Sequence, residues 1–195
     1  YCDSIDPNVI AININKKRVE SISDLLDGKT YISQTSCGIC GQEMIHSLGK
    51  NIKPFSDSIK IDPEKVKNML NRLPDFQPLR KKTRAVHAAA ICTEEFEVLE
   101  SSEDVGRHNA LDKAIGKLLL SGTLKNARIA VMSSRISYEL VQKASRAGIP
   151  VIIAISRPTA LAVKFAEQLN MTLICLAKNE GIHVFTGVNR LASVS

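Results

Sequence analysis

Two cysteines, Cys37 and Cys40, form the sharpest chemical feature of the sequence, in the segment Thr35-Ser36-Cys37-Gly38-Ile39-Cys40-Gly41. Such a pair can ligate zinc, cycle as a dithiol, or carry sulfur on a thiolate. A structural zinc site needs four ligands, and the sequence has no second Cys-x-x-Cys and no histidine pair at zinc-finger spacing. A thioredoxin-like motif should follow the first strand of a βαβ unit, whereas this pair follows an irregular segment. A glycine-flanked thiolate suits covalent group transfer, and on local sequence alone all three chemistries stay open.

Arginines stand at the starts of three predicted helices, in Ser133-Ser134-Arg135, Ser156-Arg157-Pro158-Thr159 and Asp104-Val105-Gly106-Arg107-His108-Asn109. Helix N-termini attract anions, and ligands of open α/β sheets bind beyond the carboxyl ends of the strands. The three segments therefore favour a site for a phosphorylated ligand, with plain helix capping as the competing interpretation. ATP hydrolysis and a standard dinucleotide fold are disfavoured, because neither glycine-rich phosphate-binding motif occurs.

Two histidines, His87 and His108, are candidate functional groups. His87 precedes Ala88-Ala89-Ala90 and is expected to be a packed histidine, whereas His108 lies at a polar helix start, where a functional role and capping compete. Zinc nucleoside deaminases need His-x-Glu, and Ala89 stands where that glutamate would be, so deaminase chemistry is excluded.

Composition limits the classes of protein to consider. The 195 residues carry a net charge of +6, which favours anionic partners, but aromatics make up only 4% and Trp is absent, which argues against nucleic-acid binding. No apolar run approaches the ~20 residues that a membrane span requires. Five cysteines, an odd number, do not form a disulfide framework, so a reducing cytoplasm is expected, with Cys2, Cys92 and Cys175 as inert thiols. The missing initiator Met suggests part of a longer protein.

The chain should divide into an irregular segment, residues 1–84, and an α/β domain, residues 85–195. In the first, Asp62-Pro63 begins a helix that Pro74 ends, and residues 75–84 read as a loop with a basic run. In the second, buried strands alternate with amphipathic helices, which predicts a largely parallel sheet covered on both faces. Strands are predicted at 9–14, 31–36, 85–92, 96–99, 128–132, 150–155, 171–177 and 183–185, and helices at 110–120, 135–147 and 158–169.

Five segments together closely resemble the formate dehydrogenase accessory sulfurtransferase (FdhD) family. The resemblance covers about residues 31–190. The segment that precedes the cysteines in the family is expected to be largely absent from this sequence. The matching segments are Ser36-Cys37-Gly38-Ile39-Cys40-Gly41, His87-Ala88-Ala89, residues 103–113 (EDVGRHNALDK), residues 134–144 (SRISYELVQKA) and residues 157–162 (RPTALA).

The resemblance implies sulfur delivery to Mo-bis(molybdopterin guanine dinucleotide), bound as a substrate, for formate dehydrogenase. A cysteine desulfurase would load a persulfide onto Cys37, with Cys40 in an undefined role and no intrinsic metal. It also implies a three-layer α/β/α domain similar to the cytidine deaminase fold, a homodimer and a cytoplasmic location. The alternative is a chaperone that binds the molybdenum cofactor without moving sulfur. The family's cofactor-binding stretch falls on Leu176, Ala177, Lys178, Asn179, Glu180 and Gly181.

The sequence departs from the family pattern in two places. The family's Thr-Gly-Gly-x-His appears as Thr83-Arg84-Ala85-Val86-His87, and the family often has Gly-Phe where this chain has Cys175-Leu176, and a later Arg where it has Gly181. Cofactor contacts made through the backbone would survive the second change, whereas aromatic or arginine side-chain contacts would not.

Overall fold

The computed structural model describes residue 15, residues 52–177 and residues 181–192. The described residues from 52 onward belong to one compact unit, Ile39–Ser195. The strands predicted at 9–14 and 31–36 lie outside the described residues, and the division of the chain after residue 84 stays a prediction.

A six-stranded sheet forms the centre of this unit, in the spatial order β2-β1-β3-β4-β5-β6. β3, β4 and β5 are parallel, and the other strands pair antiparallel with their neighbours. The prediction of a largely parallel sheet is thus right at the centre and wrong at both sides, because short connections join β1 to β2 and β5 to β6, whereas parallel strands need long crossovers. The strands are β1 (His87–Cys92), β2 (Val98–Asp104), β3 (Ile129–Met132), β4 (Val151–Ala154), β5 (Thr172–Leu176) and β6 (Ile182–Thr186).

Helices precede the sheet and connect its strands. The carboxylate of Asp62 accepts a hydrogen bond from Glu64 N at 2.8 Å, and Pro63 follows it, so the first helix begins as predicted. The α-helices are α1 (Pro63–Arg72), α2 (Pro78–Thr83), α3 (Arg107–Leu120), α4 (Tyr138–Arg146) and α5 (Ala160–Gln168), and short 3₁₀ helices span Leu73–Phe76, Leu124–Asn126 and Val188–Arg190. No helix of the described ranges is long and apolar enough to cross a membrane.

Two local predictions are wrong. Residues 75–84 are not a loop: a 3₁₀ turn and α2 occupy them, and the Glu103 carboxylate accepts hydrogen bonds from Leu79 N at 2.7 Å and Arg80 N at 2.8 Å. The predicted strand at 96–99 begins at Val98 and continues to Asp104, because its pairing with β1 extends that far. In both places a partner distant in sequence decides the local structure.

The sheet is covered by helices on both faces. Along β3, Ala130 and Met132 point into a core shared with α3, α4 and α5, whereas Ile129 and Val131 point into a core shared with α1. This alternation is what a doubly covered sheet requires, and it confirms the α/β class. The similarity to the cytidine deaminase fold stays a prediction.

A buried ion pair fastens the segment before α1 to the end of the described chain. Arg190 is 2% exposed, and its Nε and Nη2 lie 2.9 and 3.0 Å from the two carboxylate oxygens of Asp57, while its Nη1 donates to Thr172 Oγ1 at 3.2 Å. Burial raises the pKa of Asp57, but the hydrogen bond and charge of Arg190 outweigh it, so the pKa lies below its ordinary value. Nearby, Gly187 has φ +67°, and a Cβ there would collide with the Thr172 hydroxyl.

Candidate functional site

The strands that precede the three arginine-bearing segments all end at one edge of the sheet, called here the site edge. The carboxyl ends of β3, β4 and β5 lie side by side, since Met132 pairs with Ala154 and Ala154 with Cys175. β1 and β6 run in the opposite direction and therefore start at this edge. β2 ends there, because Asp104 pairs with His87, the first residue of β1.

All three arginine-bearing segments follow strands that end at the site edge. Arg135 follows β3, Arg157 follows β4, and Arg107 begins α3 after β2. The loops after β3 and β4 are joined directly, because Thr159 N donates to Ile136 O at 2.9 Å. Arg135 and Arg157 are exposed, and Arg107 is partly buried. The structure thus brings together cationic groups that are up to 50 residues apart in the sequence, counting from Arg107 to Arg157.

The hydroxyl groups of these segments have different roles. Thr159 caps α5 by accepting a hydrogen bond from Ala162 N at 3.3 Å, so the capping interpretation holds there. Ser133 instead fixes its loop to β1, since its Oγ accepts from Ala88 N at 2.8 Å. Ser134 is buried and donates to the carbonyl of Arg135 at 3.0 Å. Capping therefore explains only part of the pattern.

A buried polar cluster connects the starts of α3 and α4. His108 Nε2 lies 3.0 Å from Ser137 Oγ and 3.8 Å from Glu139 Oε2, and the side chains of His108 and Glu139 are 12% and 21% exposed. Burial lowers the pKa of His108, and the charge of Arg107 lowers it further, against the opposing effect of Glu139. Burial opposes ionisation of Glu139, but the hydrogen bonds with Ser137 and with the backbone, together with the charges of His108 and Arg107, outweigh it, so the pKa of Glu139 lies below its ordinary value. The cluster therefore pairs a neutral imidazole with a carboxylate near neutral pH.

His87 and Arg107 carry buried polar atoms that have no hydrogen-bond partner among the described residues: Nδ1 of His87 and Nε of Arg107. Burial lowers the pKa of His87, and the charges of Arg107 and Arg80 add to this effect. The positive charge of Arg107 thus acts on both imidazoles of the site edge. A buried donor without a partner, such as Arg107 Nε, is costly, and a ligand with acceptor oxygens would satisfy it.

The packed-histidine expectation for His87 holds only in part, since the ring is half-buried and not fully hydrogen-bonded. Neutral imidazoles beside guanidinium groups can donate and accept hydrogen bonds around an anion. This is the chemistry expected of a binding site for a phosphorylated ligand.

A family model for the FdhD/NarQ family matches residues 4–192 of the chain. The chain belongs to the FdhD/NarQ family. It is 40% identical over 165 residues to the sulfur carrier protein FdhD of Bordetella bronchiseptica, covering 85% of this chain and 60% of that protein. It is 35% identical over 185 residues to the sulfur carrier protein FdhD of Thermoplasma volcanium, covering 94% of this chain and 65% of that protein. The chain therefore spans about three fifths of the length of these FdhD relatives.

A solved structure of similar fold is the crystal structure of a candidate formate dehydrogenase accessory protein from Desulfotalea psychrophila. It superposes with a TM-score of 0.66 at 27% sequence identity, covering 75% of this chain and 62% of that one. The FdhD/NarQ resemblance inferred from the five sequence segments is confirmed by these matches.

The predicted sulfur-carrying residue of this FdhD/NarQ chain, Cys37, lies outside the described residues, as does Cys40. Two other cysteines are described. Cys92 is fully buried, and burial raises its pKa to about 12, while burial also raises the pKa of Cys175. Both thiols are buried, and their raised pKa values disfavour the reactive thiolate. Among the described residues, no three His, Cys, Asp or Glu side chains are grouped as a metal site would require.

The described residues of the predicted cofactor-binding stretch, Leu176, Ala177 and Gly181, lie where β5 ends and β6 begins, on the site edge. Leu176 and Ala177 are half-buried, and Ala177 N donates to Gly181 O at 2.8 Å. The backbone N–H of Ala177 is therefore already used within the protein. It cannot be one of the backbone groups that are expected to contact the cofactor in this stretch. Residues 178–180 of the stretch, Lys178, Asn179 and Glu180, lie outside the described residues.

Sequence reasoning missed the partners of His108. Ser137 is the N-cap residue of α4, but its side chain makes no capping hydrogen bond to the helix backbone and reaches His108 instead. Glu139 lies in the first turn of α4, where an acidic residue is favourable without any further role. The signal available was the presence of both residues in the long matching segment 134–144.

Proposed function

We propose that this protein is a sulfur carrier of the formate dehydrogenase pathway. The observation that carries the proposal is the similarity, at 35–40% identity over most of this chain, to proteins named sulfur carrier protein FdhD. In this proposal Cys37 is the sulfur-bearing residue, and the site edge holds the molecule that receives the sulfur.

The first half of the proposed reaction is a thiolate exchange. The Cys37 thiolate attacks the terminal sulfur of a persulfide on a cysteine desulfurase, a new S–S bond forms on Cys37, and the donor cysteine leaves as a thiolate. No oxidant is consumed, because the transferred sulfur already has the oxidation state of a persulfide.

The second half transfers the terminal sulfur to the substrate, Mo-bis(molybdopterin guanine dinucleotide). The S–S bond of the Cys37 persulfide breaks, Cys37 leaves as a thiolate, and the electron pair of the new bond comes from the reduced molybdenum of the substrate. The chain's own contribution is to bind and orient. Arg107, Arg135 and Arg157 suit the phosphates of such a molecule, and the unpartnered Nδ1 of His87 and Nε of Arg107 supply hydrogen-bonding atoms.

The proposal extends to the assembly and location of the protein. Formate dehydrogenase would be the final recipient of the modified cofactor, and a homodimer in the cytoplasm and a likeness to the cytidine deaminase fold follow from the same family resemblance. The cofactor-binding stretch at residues 176–181 would lie against the cofactor, with side-chain contacts there weaker than in the family because Cys175-Leu176 and Gly181 replace its usual residues.

The decisive experiment follows sulfur on the protein by mass spectrometry. After incubation with a cysteine desulfurase and cysteine, the intact protein should gain the mass of one sulfur atom, which digestion places on Cys37. Cys37→Ser should abolish this gain and the activation of formate dehydrogenase. Cys40→Ser is the matched control, because it removes a thiol from the same segment.

The same experiment tests the alternative that the protein binds the cofactor without transferring sulfur. A protein that binds the cofactor but never acquires sulfur on Cys37, and that supports formate dehydrogenase as Cys37→Ser, would be such a chaperone. A stoichiometric zinc content that is lost in Cys37→Ser would instead identify a structural zinc site.

A further inference from the structure

The polar cluster between α3 and α4 contains a hydroxyl group that occupies a capping position without capping the helix. Ser137 is the N-cap residue of α4, and its backbone is extended, with φ −100° and ψ 166°, as is usual for a capping serine. The side chains of Asp62 and Thr159 do cap α1 and α5. Ser137 makes no capping hydrogen bond, and its Oγ lies 3.0 Å from His108 Nε2. The hydroxyl group therefore contacts the histidine at the expense of helix capping.

The direction of the hydrogen bonds in this cluster follows from the charge of Glu139. Glu139 is ionised near neutral pH, because its pKa lies below the ordinary value, and its side chain is hydrogen-bonded to that of Ser137. A carboxylate only accepts hydrogen bonds, so the single proton of the Ser137 hydroxyl is donated to Glu139. Ser137 Oγ then accepts from His108, which requires a proton on Nε2. This proton also faces Glu139 Oε2 at 3.8 Å, whereas the carboxylate would repel a lone pair on Nε2.

The second ring nitrogen of His108, Nδ1, is left without a proton. Burial and then the charge of Arg107 lower the pKa of His108, so the ring is neutral near neutral pH and carries one proton only. Nδ1 has no hydrogen-bond partner among the described residues, and unlike Nδ1 of His87 it is not fully enclosed. It can therefore accept a hydrogen bond from a bound molecule.

An acceptor at this position complements the arginines of the site edge. Guanidinium groups only donate hydrogen bonds, so they bind the acceptor atoms of a molecule and not its donors. The carboxylate of Asp104, at the end of β2, is already used, because it accepts from Gly106 N at 2.9 Å and pairs with Lys113. The lone pair of His108 Nδ1 is free for an N–H or O–H group that the arginines cannot bind.

A second contact joins the same two helices without a hydrogen bond to His108. Lys143 Nζ lies 2.6 Å from Asp112 Oδ2. Asp112 comes four residues after His108 on α3, and Lys143 comes four residues after Glu139 on α4, so this pair lies one turn further along both helices. Its loss would loosen the attachment of α3 to α4 while leaving the hydrogen bonds of the imidazole in place.

We propose that Glu139 is a positioning residue, which acts through Ser137 to hold His108 as the Nε2–H tautomer and so leaves Nδ1 as a hydrogen-bond acceptor at the site edge. The tautomer follows from the contacts of His108 alone. The use of the acceptor rests on the proposed function, in which the site edge holds the molecule that receives the sulfur. That substrate carries N–H and O–H donors beside its phosphates, and the acceptor matches the donors.

Nuclear magnetic resonance of the ¹⁵N-labelled full chain tests the tautomer directly. At alkaline pH, where His108 is neutral, its Nδ1 should show the chemical shift of an unprotonated ring nitrogen and its Nε2 that of a protonated one. Glu139→Gln should shift the two resonances towards each other, because an amide can also donate to Ser137 Oγ and allow that hydroxyl to donate to Nε2. Asp112→Asn is the matched control, since it makes the same acid-to-amide change in the second contact, and it should leave both resonances in place.

The inference is overturned if Nδ1 carries the proton in the unmodified chain. It is also overturned if Glu139→Gln leaves the tautomer unchanged, or if Asp112→Asn changes it equally, because the cluster would then only attach one helix to the other.

Activation of formate dehydrogenase at limiting amounts of the protein tests the use of the acceptor. Glu139→Gln should lower activation by about ten-fold, the effect of one lost hydrogen bond, while the sulfur loaded onto Cys37 stays unchanged by mass spectrometry. Asp112→Asn should keep both. Full activation by Glu139→Gln would contradict the role proposed for the acceptor. If the unmodified chain acquires no sulfur, the proposed function fails, and the tautomer measurement still decides the positioning role of Glu139.

Discussion

Replacing Asp57 with asparagine tests how strongly the buried ion pair holds the fold. Arg190 is 2% exposed and makes two of its three side-chain hydrogen bonds to Asp57, so asparagine leaves a buried guanidinium without its counter-charge. Breaking a buried pair from one side costs about 3–5 kcal/mol. Because Asp57 is itself 24% exposed and asparagine keeps one acceptor oxygen, the lower value of about 3 kcal/mol applies. For a chain of this length the melting temperature should fall by about 6–12 °C.

Thermal and urea unfolding at neutral pH measure this loss. The control is Glu95→Gln, which makes the same acid-to-amide change in an exposed pair. Lys65 Nζ lies 2.7 Å from Glu95 Oε2, and these side chains are 46% and 72% exposed. The control should cost less than about 1 kcal/mol. A shift for Asp57→Asn that is no larger than that of the control would refute the reasoning, because the buried charge would then be compensated by other groups.

The same pair predicts a direction of pH dependence. Arg190 depresses the pKa of Asp57 below its ordinary value of 3.8. A depressed pKa in the folded state gives stability that is complete above the unfolded value and is lost as pH falls through the folded one. The difference in stability between the unmodified chain and Asp57→Asn should therefore be largest near neutral pH and should shrink below about pH 4.

The remaining predictions concern the backbone, the thiols and the imidazoles. Gly187→Ala should lower the free energy of unfolding by about 2 kcal/mol or more, because its φ is positive and the added Cβ would collide with Thr172. Gly148 also has a positive φ, +76°, but has open space around it, so Gly148→Ala should lower the free energy of unfolding by only about 1 kcal/mol in the same urea titration. Cys92 should resist alkylation by iodoacetamide in the native state and react after denaturation, because its pKa is raised to about 12; rapid native labelling located by peptide mapping would contradict this. His108 should titrate below 6.5 by NMR, and lower still in Glu139→Gln, because Glu139 supports its protonated form.

The regular elements were largely predictable because their apolar spacing matches their burial. Residues of α1 such as Val66 and Leu70 are buried where a 3.6-residue period puts them, and β3 and β4 are short, wholly apolar strands. α2 was not predictable, because Glu103, more than twenty residues away, supplies the acceptors for its first amides. The antiparallel pairing of β1 with β3 was equally hidden, because these strands are not consecutive in the sequence and become neighbours only through the strand order of the sheet.

The candidate site was predictable in its parts and not in its arrangement. The arginines at helix starts could be found from the sequence, but their common edge follows from the strand order, with β1 inserted between β2 and β3. Arg190 was missed altogether, because an arginine near the end of the chain is typical of a solvated surface. Its burial depends on Asp57, 133 positions earlier.

The opposite edge of the sheet carries a connection through which the protein could be attached to a surface. The connection from α3 to β3, which contains Gly122 and the 3₁₀ turn Leu124–Asn126, leaves the sheet at the end remote from the site edge, and a Cβ at Gly122 would meet nothing within 4 Å. A surface-immobilised sample tethered through this connection would present its arginine-bearing edge to the solution. Such an orientation suits sensor-based binding measurements in which the partner must reach the site edge unhindered.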